Sequence, residues 1–173
     1  MNDPPIVLIV EDGDEYLENL SRFAPGPRYL QAHSAAEALQ RIAAHEIALV
    51  YLDMRFDRIP ERELAGDRAS VERSHGGDTA RALRYLARNQ GLFILEALRA
   101  AGHAALPVIL AYDFSGETRR FERLAAQHPA LTWVPDAITP DEIRARIERL
   151  LGRSVFPAAP GPAADGSGPG HDT

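Results

Sequence analysis

The chain has 173 residues, 45% of them apolar, a net charge of −6 and no cysteine. That suffices for one domain with a sizeable core, and it excludes a disordered chain, disulfides, thiolate-metal sites and the clustered positive charge that nucleic acid or an anionic membrane requires. All 19 basic residues are arginine, as a GC-rich genome would produce, so no chemistry that needs a lysine ammonium is open to it.

Ile6 to Val10 is a short continuous apolar run rich in β-branched residues, the pattern of a strand buried on both faces of a parallel sheet. It ends in Glu11-Asp12-Gly13-Asp14. A helix is predicted over about 14–23, with Leu17 and Leu20 at helical spacing, and Pro25-Gly26-Pro27 stops it. Tyr29 to Ala32 is a weak second strand. Ser34 and Glu37 have capping-box spacing before a helix that carries Ala38, Leu39 and Ile42. Ile47 to Leu52 is a third strand, ending at Asp53. Val108 to Tyr112 is a fourth, followed by a helix over about 116–127 and a fifth strand, Leu131 to Val134. Thr139-Pro140-Asp141-Glu142 repeats the capping logic, with proline at the first helical position. Ile143, Ile147, Leu150 and Leu151 then form an apolar stripe. The Pro/Gly/Ala-rich stretch 153–173 is expected to be disordered.

Alternating strands and helices indicate an α/β fold, a doubly wound parallel sheet of about five strands. The functional crevice of such sheets lies at the carboxyl ends of the strands. Those ends carry Glu11, Asp12, Asp53, Asp113 and Asp136. No apolar run reaches the roughly 18 residues of a membrane span and no signal peptide precedes the first strand, so a cytoplasmic protein is expected.

The motifs IVLIVEDGD, SAAEALQRI, ALVYLDM, GLFILEALRAAG, LPVILAY and TPDEIRARIERLLG, in this order, resemble a response-regulator receiver domain over roughly residues 5–152. The resemblance implies a flavodoxin-like receiver fold and a place in bacterial two-component, phosphorelay signal transduction. It makes Asp53 the phosphoacceptor position and assigns Glu11, Asp12 and Asp53 to Mg²⁺, a hard cation that takes oxygen ligands. It implies a protein partner, a histidine kinase or a downstream effector, and a docking face made of the family's fourth helix, fifth strand and fifth helix. Arg119, Arg120, Arg123 and Trp133 fall on that face. Trp133 also falls on the family's switch aromatic.

Three positions depart from the family pattern. Tyr112 stands where the family has Ser or Thr, Asp113 where a small residue follows, and Asp136 where the lysine belongs. An ammonium bonded to a phosphoryl oxygen in a half-buried pocket contributes about 1.5–3 kcal/mol. A carboxylate there turns attraction into repulsion. The expected outcome is an atypical, pseudo-receiver-like domain without normal aspartyl phosphorylation, working by protein contact and not as an enzyme. Tyr112 is expected to fill the space into which the aromatic would swing. The alternatives are a phosphorylatable receiver in which an arginine replaces the lysine, and a metal-dependent phosphoester enzyme, for which a second acid after Asp53 is missing.

From Asp53 to Pro107 the chain is about twice as long as the resemblance requires. The insertion, about 54–90, leaves directly from Asp53 and carries eight arginines. It is expected either to form a lid whose Arg55 or Arg58 neutralises the acidic crevice, or to be a solvated excursion or a homodimer contact. Asp78 is its plausible N-cap, and the helix that follows presents Ala80, Leu83, Leu86 and Ala87 and runs on through Gln90-Gly91. His75 is a solvated loop histidine, and His33, His45, His103 and His128 show no ligand spacing.

Overall fold

A computed structural model describes residues 3–157. Five strands form one wholly parallel sheet in the order β2-β1-β3-β4-β5: β1 Ile6–Val10, β2 Arg28–Ala32, β3 Ile47–Asp53, β4 Val108–Ala111 and β5 Leu131–Val134. The helices are α1 Glu15–Phe23, α2 Ala35–Ala44, α3 Arg68–Ser74, α4 Thr79–Arg88, α5 Gln90–Ala100, α6 Thr118–Gln127 and α7 Pro140–Leu151. A single 3-10 turn spans Glu61–Glu63. This is the doubly wound α/β architecture expected. Among the described residues no helix is long and apolar enough to cross a membrane.

Burial on both sheet faces explains why the central strands read as unbroken apolar runs. Leu8, Val10, Val50, Leu52, Val108 and Leu110 pack against Ala38 of α2 and Ile94, Leu95 and Leu98 of α5. Val7, Ile9, Leu49, Tyr51, Ile109 and Ala111 pack against Leu20 of α1 and Ile143 and Ile147 of α7. The capping signals hold. Ser34 Oγ accepts from the Glu37 amide, although the Glu37 carboxylate returns to the His33 amide, one residue before the cap. Thr139 and Glu142 close a full capping box.

The insertion departs from expectation in three ways. Its first residues are core: Met54 and Phe56 are 1% exposed and join the cluster beneath α5. Its helix does not run on into the next. Asn89 interrupts it and donates its side-chain amide to Tyr85 O, so α4 and α5 are separate. The buried face of α4 is Ala82 and Leu86, and Ala80 is exposed. α4 is oriented by a contact that its own periodicity does not encode: Gly66, at φ +116°, lacks the Cβ that would meet Leu86 Cδ2 at 2.8 Å and Phe93 Cδ1 at 2.7 Å.

Gln90 is fully buried and fastens the insertion to the domain. Its Oε1 accepts from the Ala65 amide at 2.6 Å, and its Nε2 donates to Ala65 O and Leu86 O, both at 3.2 Å. A buried carboxamide so fully paired holds one loop geometry, because any other leaves polar atoms unsatisfied.

The expected domain boundary at residue 153 also moves. Glu148 accepts from Ser154 Oγ and from the amides of Val155 and Phe156, and both apolar residues pack on the second core face. The disorder expected of the tail otherwise falls on residues 158–173, outside the described ones.

Helix α5 approaches the sheet closely at Gly91, where a Cβ would sit 2.7 Å from Asp53 O and 3.0 Å from Leu110 Cδ1. Gly91→Ala should therefore destabilise the domain by about 1–3 kcal/mol, as overpacking does, read as a lower urea midpoint at unchanged slope.

Candidate functional site

The carboxyl ends of β1, β3, β4 and β5 open into a polar crevice of about 440 Å³. Asp12, Asp53, Asp113 and Asp136 line it as anticipated, and the insertion adds Asp57, Arg55 and Arg58. Asp57 was not anticipated; nothing in the local pattern distinguishes it from a solvated loop acid.

Glu11 is not in the crevice. It is 1% exposed, and its carboxylate accepts the Tyr16 and Leu17 amides at 2.9 Å each and Gln31 Nε2 at 3.3 Å. It satisfies the free amides at the start of α1, next to the positive end of that helix's dipole. Burial raises its pKa above the ordinary carboxylate value, and the two amides act in the opposite direction.

Asp12 accepts three hydrogen bonds from the insertion. Its Oδ2 accepts the Asp57 amide at 2.6 Å and the Arg58 amide at 2.7 Å, and its Oδ1 faces Arg58 Nη2 at 3.3 Å. The same guanidinium makes a two-pronged pair with Glu15, at 2.7 and 2.8 Å. That pairing holds Glu15 down at about 2 and raises Arg58 further. Gly13 makes room, since a Cβ there would collide with the Arg58 guanidinium. The arginine that reaches the acids is therefore Arg58. Arg55 is exposed at the rim and, among the described residues, forms no ion pair.

This arrangement does not fit the expected Mg²⁺ site. Glu11 is turned to the α1 amides and both oxygens of Asp12 are taken by main chain and guanidinium. Among the described residues no three acids or histidines come together in a group that could hold a metal ion. Of Glu11, Asp12 and Asp53, only Asp12 and Asp53 line the crevice.

Asp53 ends β3, half-buried beside Asp12. Burial pushes its pKa up to about 7; the amides of Arg55 and Met54 work against that, and the charges of Asp12 and Glu11 add to it. Burial and the nearby Asp53 likewise raise the Tyr16 hydroxyl.

On the opposite rim, the Tyr112 hydroxyl donates to Glu117 Oε1 at 2.6 Å, away from Asp53. Glu117 Oε2 accepts from Arg120 Nη1 at 2.6 Å, and Arg120 Nη2 donates to Asn89 Oδ1 at 2.6 Å. The space next to Trp133 is filled by Phe114, not by Tyr112. Phe114 is 1% exposed, with its ring 4.7 Å from Tyr112, 5.5 Å from Phe121 and 6.2 Å from Trp133. Asp113 is exposed, and its carboxylate accepts from the Ser115 amide, which lowers its pKa. Asp136 is exposed at the rim. Water screens both, so the repulsion expected of them is weaker than for buried acids.

In sequence, no protein-family model and no curated protein matches the chain. In structure it is similar to a Francisella response regulator 1452 receiver domain, at 17% identity and a TM-score of 0.56 over 86% of this chain and 97% of that one. The receiver domain of NtrX from Brucella abortus is 18% identical at a TM-score of 0.56, over 84% and 98%. Vibrio cholerae chemotaxis protein CheY4 is 13% identical at a TM-score of 0.55, over 85% and 98%.

A carboxyl with its pKa raised on folding favours the folded state while protonated. That contribution is complete below the unfolded value of 3.8 and is lost as pH rises through about 7. Asp53→Asn should therefore raise the melting temperature at pH 8, by on the order of 5 °C, and flatten the slope between pH 4 and 8. Thermal melts across that range check it, and an unchanged slope would show that Asp53 ionises freely. The chain has the receiver fold, with Asp53 at the carboxyl end of its third strand and an insertion built into its crevice.

Proposed function

We propose that this chain is an atypical receiver-type signalling module that acts by protein contact, without normal phosphorylation of Asp53 and without turnover of a substrate. The fold supports the receiver part of this reading. The observation that carries the rest is the state of the crevice. Arg58 and two amides occupy the acid that a divalent cation would use, and the far rim offers Asp136 in place of the cation and a tyrosine hydroxyl, given to Glu117, in place of Ser or Thr. The guanidinium pairs with Asp12 and Glu15, a cation that is part of the chain. Its partner-facing surface includes α6, β5 and α7, where Arg119 and Arg123 are exposed and Trp133 is half-buried. Residue Arg120 is engaged with Glu117 and Asn89 instead.

One observation favours a second reading. Arg55 lies at the rim, exposed and without an ion pair among the described residues, where it could meet a phosphoryl group on Asp53 in place of the lysine. Incubation with a small-molecule phosphodonor and Mg²⁺, followed by intact mass, separates the two. The proposal expects no adduct. A stoichiometric phosphoryl adduct, lost in Asp53→Asn and in Arg55→Ala, establishes the second reading instead.

The guanidinium's role has its own test. Arg58→Ala should lower the melting temperature at neutral pH and let Mg²⁺ restore it, with Mg²⁺ affinity at least tenfold above wild type by calorimetric titration. Equal Mg²⁺ binding by both proteins would remove Arg58 from this role.

A further inference from the structure

The α3–α4 hairpin projects from the domain, packing on itself and, through Ala82 and Leu86, toward α5. Its three acids are all spent internally. Asp67 accepts the Ser70 amide, Asp78 accepts the Arg81 amide, and Glu72 accepts from Thr79 Oγ1. Among the described residues none of the three forms an ion pair with an arginine of the hairpin, and Arg68 of α3 pairs with Glu61 outside it. Arg81, Arg84 and Arg88 lie three and four residues apart on one face of α4, exposed, and among the described residues none forms an ion pair. They span about 10 Å along the helix.

With Tyr85, His75 and Asn89 these arginines line a shallow hollow. The Tyr85 ring is 42% exposed yet held in place, 5.1 Å from His75 and 6.3 Å from Phe93. His75 is fixed in turn by its Nδ1 against Val71 O at 2.8 Å. A positive stripe on a chain of net charge −6, built round a tyrosine packed against His75 and Phe93, runs against the rest of the surface. Arginine and tyrosine are also the side chains that carry most energy at protein interfaces.

From this we infer that the outer face of α4 is a docking surface for an acidic helical segment of another protein. The three guanidiniums match carboxylates spaced along one helix face, since each fork takes a carboxylate in two-pronged geometry. Tyr85 supplies the apolar contact. This deepens the proposed function by naming a partner chemistry and a surface other than α6–β5–α7. The surface is also connected to the crevice: Asn89, at its end, holds Arg120, which holds the Glu117 that takes the Tyr112 hydroxyl.

The test uses the full chain and a labelled synthetic helical peptide with glutamates three and four residues apart and a leucine beside them. A scrambled peptide of the same composition and a single-stranded oligonucleotide of equal charge serve as comparisons, all read by fluorescence anisotropy. The patterned peptide should bind at least tenfold tighter than the scrambled one. Arg81→Glu/Arg84→Glu/Arg88→Glu should abolish binding, and the charge-matched Arg28→Glu/Arg149→Glu/Arg153→Glu should retain it. Equal binding of the two peptides, equal loss in both triple variants, absence of binding, or tighter binding of the oligonucleotide overturns the inference. The mass assay on Asp53 decides the earlier reading separately, because none of these variants touches the crevice.

Discussion

Asp12 accepts two main-chain amides and a guanidinium from one short segment, Asp57-Arg58, that leaves the end of β3. Much of the rest depends on that set of bonds. It ties the β1–α1 loop to the insertion, fixes where Arg58 stands, and gives both oxygens of Asp12 partners within the chain. Charge-assisted bonds to main-chain amides are stronger than neutral ones, and here three converge on one group whose side chain is only 5% exposed. The segment forms a wall of the crevice, held from below by Met54 and Phe56 in the core.

The same wall explains the local electrostatics. Asp53 is half-buried beside Asp12, among the described residues no cation is bonded to it, and burial first, then the nearby negative charge, raises its pKa. The acids farther out, Asp113 and Asp136, reach water and need no such compensation. The crevice divides into a paired half, around Arg58, and an unpaired half open to solvent. The architecture is that of a receiver fold, and the proposed function rests on how the side chains of this crevice are paired.

The insertion also changes what lies above the sheet. Gln90 and Gly91 bind it to α5 so closely that α4 and α5 meet at Asn89, and Asn89 contacts Arg120 of α6. A chain of polar contacts therefore runs from the hairpin to Tyr112 at the crevice, while Phe114 occupies the hollow between Tyr112 and Trp133. Aromatic packing of this density holds one arrangement of the β4–α6 loop, because a vacated Phe114 pocket would leave a cavity.

The sheet, the helix starts at Ser34, Asp78 and Thr139, and the acids at the strand ends were legible in the residues themselves. Each rests on local physics: unbroken apolar runs, a hydroxyl or carboxylate facing free amides, a polar residue where a strand leaves the core. The insertion's arginines were legible as a class. Which of them meets Asp12 was not, since that depends on where Met54 and Phe56 anchor the loop. The short helix α3, with Val71 as its one large apolar residue, shows no stripe to read. The burial of Glu11, the turn of Tyr112 toward Glu117 and the seat of Phe114 were also decided only in three dimensions. Each follows from a partner far off in sequence or from competition for one space, and local pattern carries no record of either.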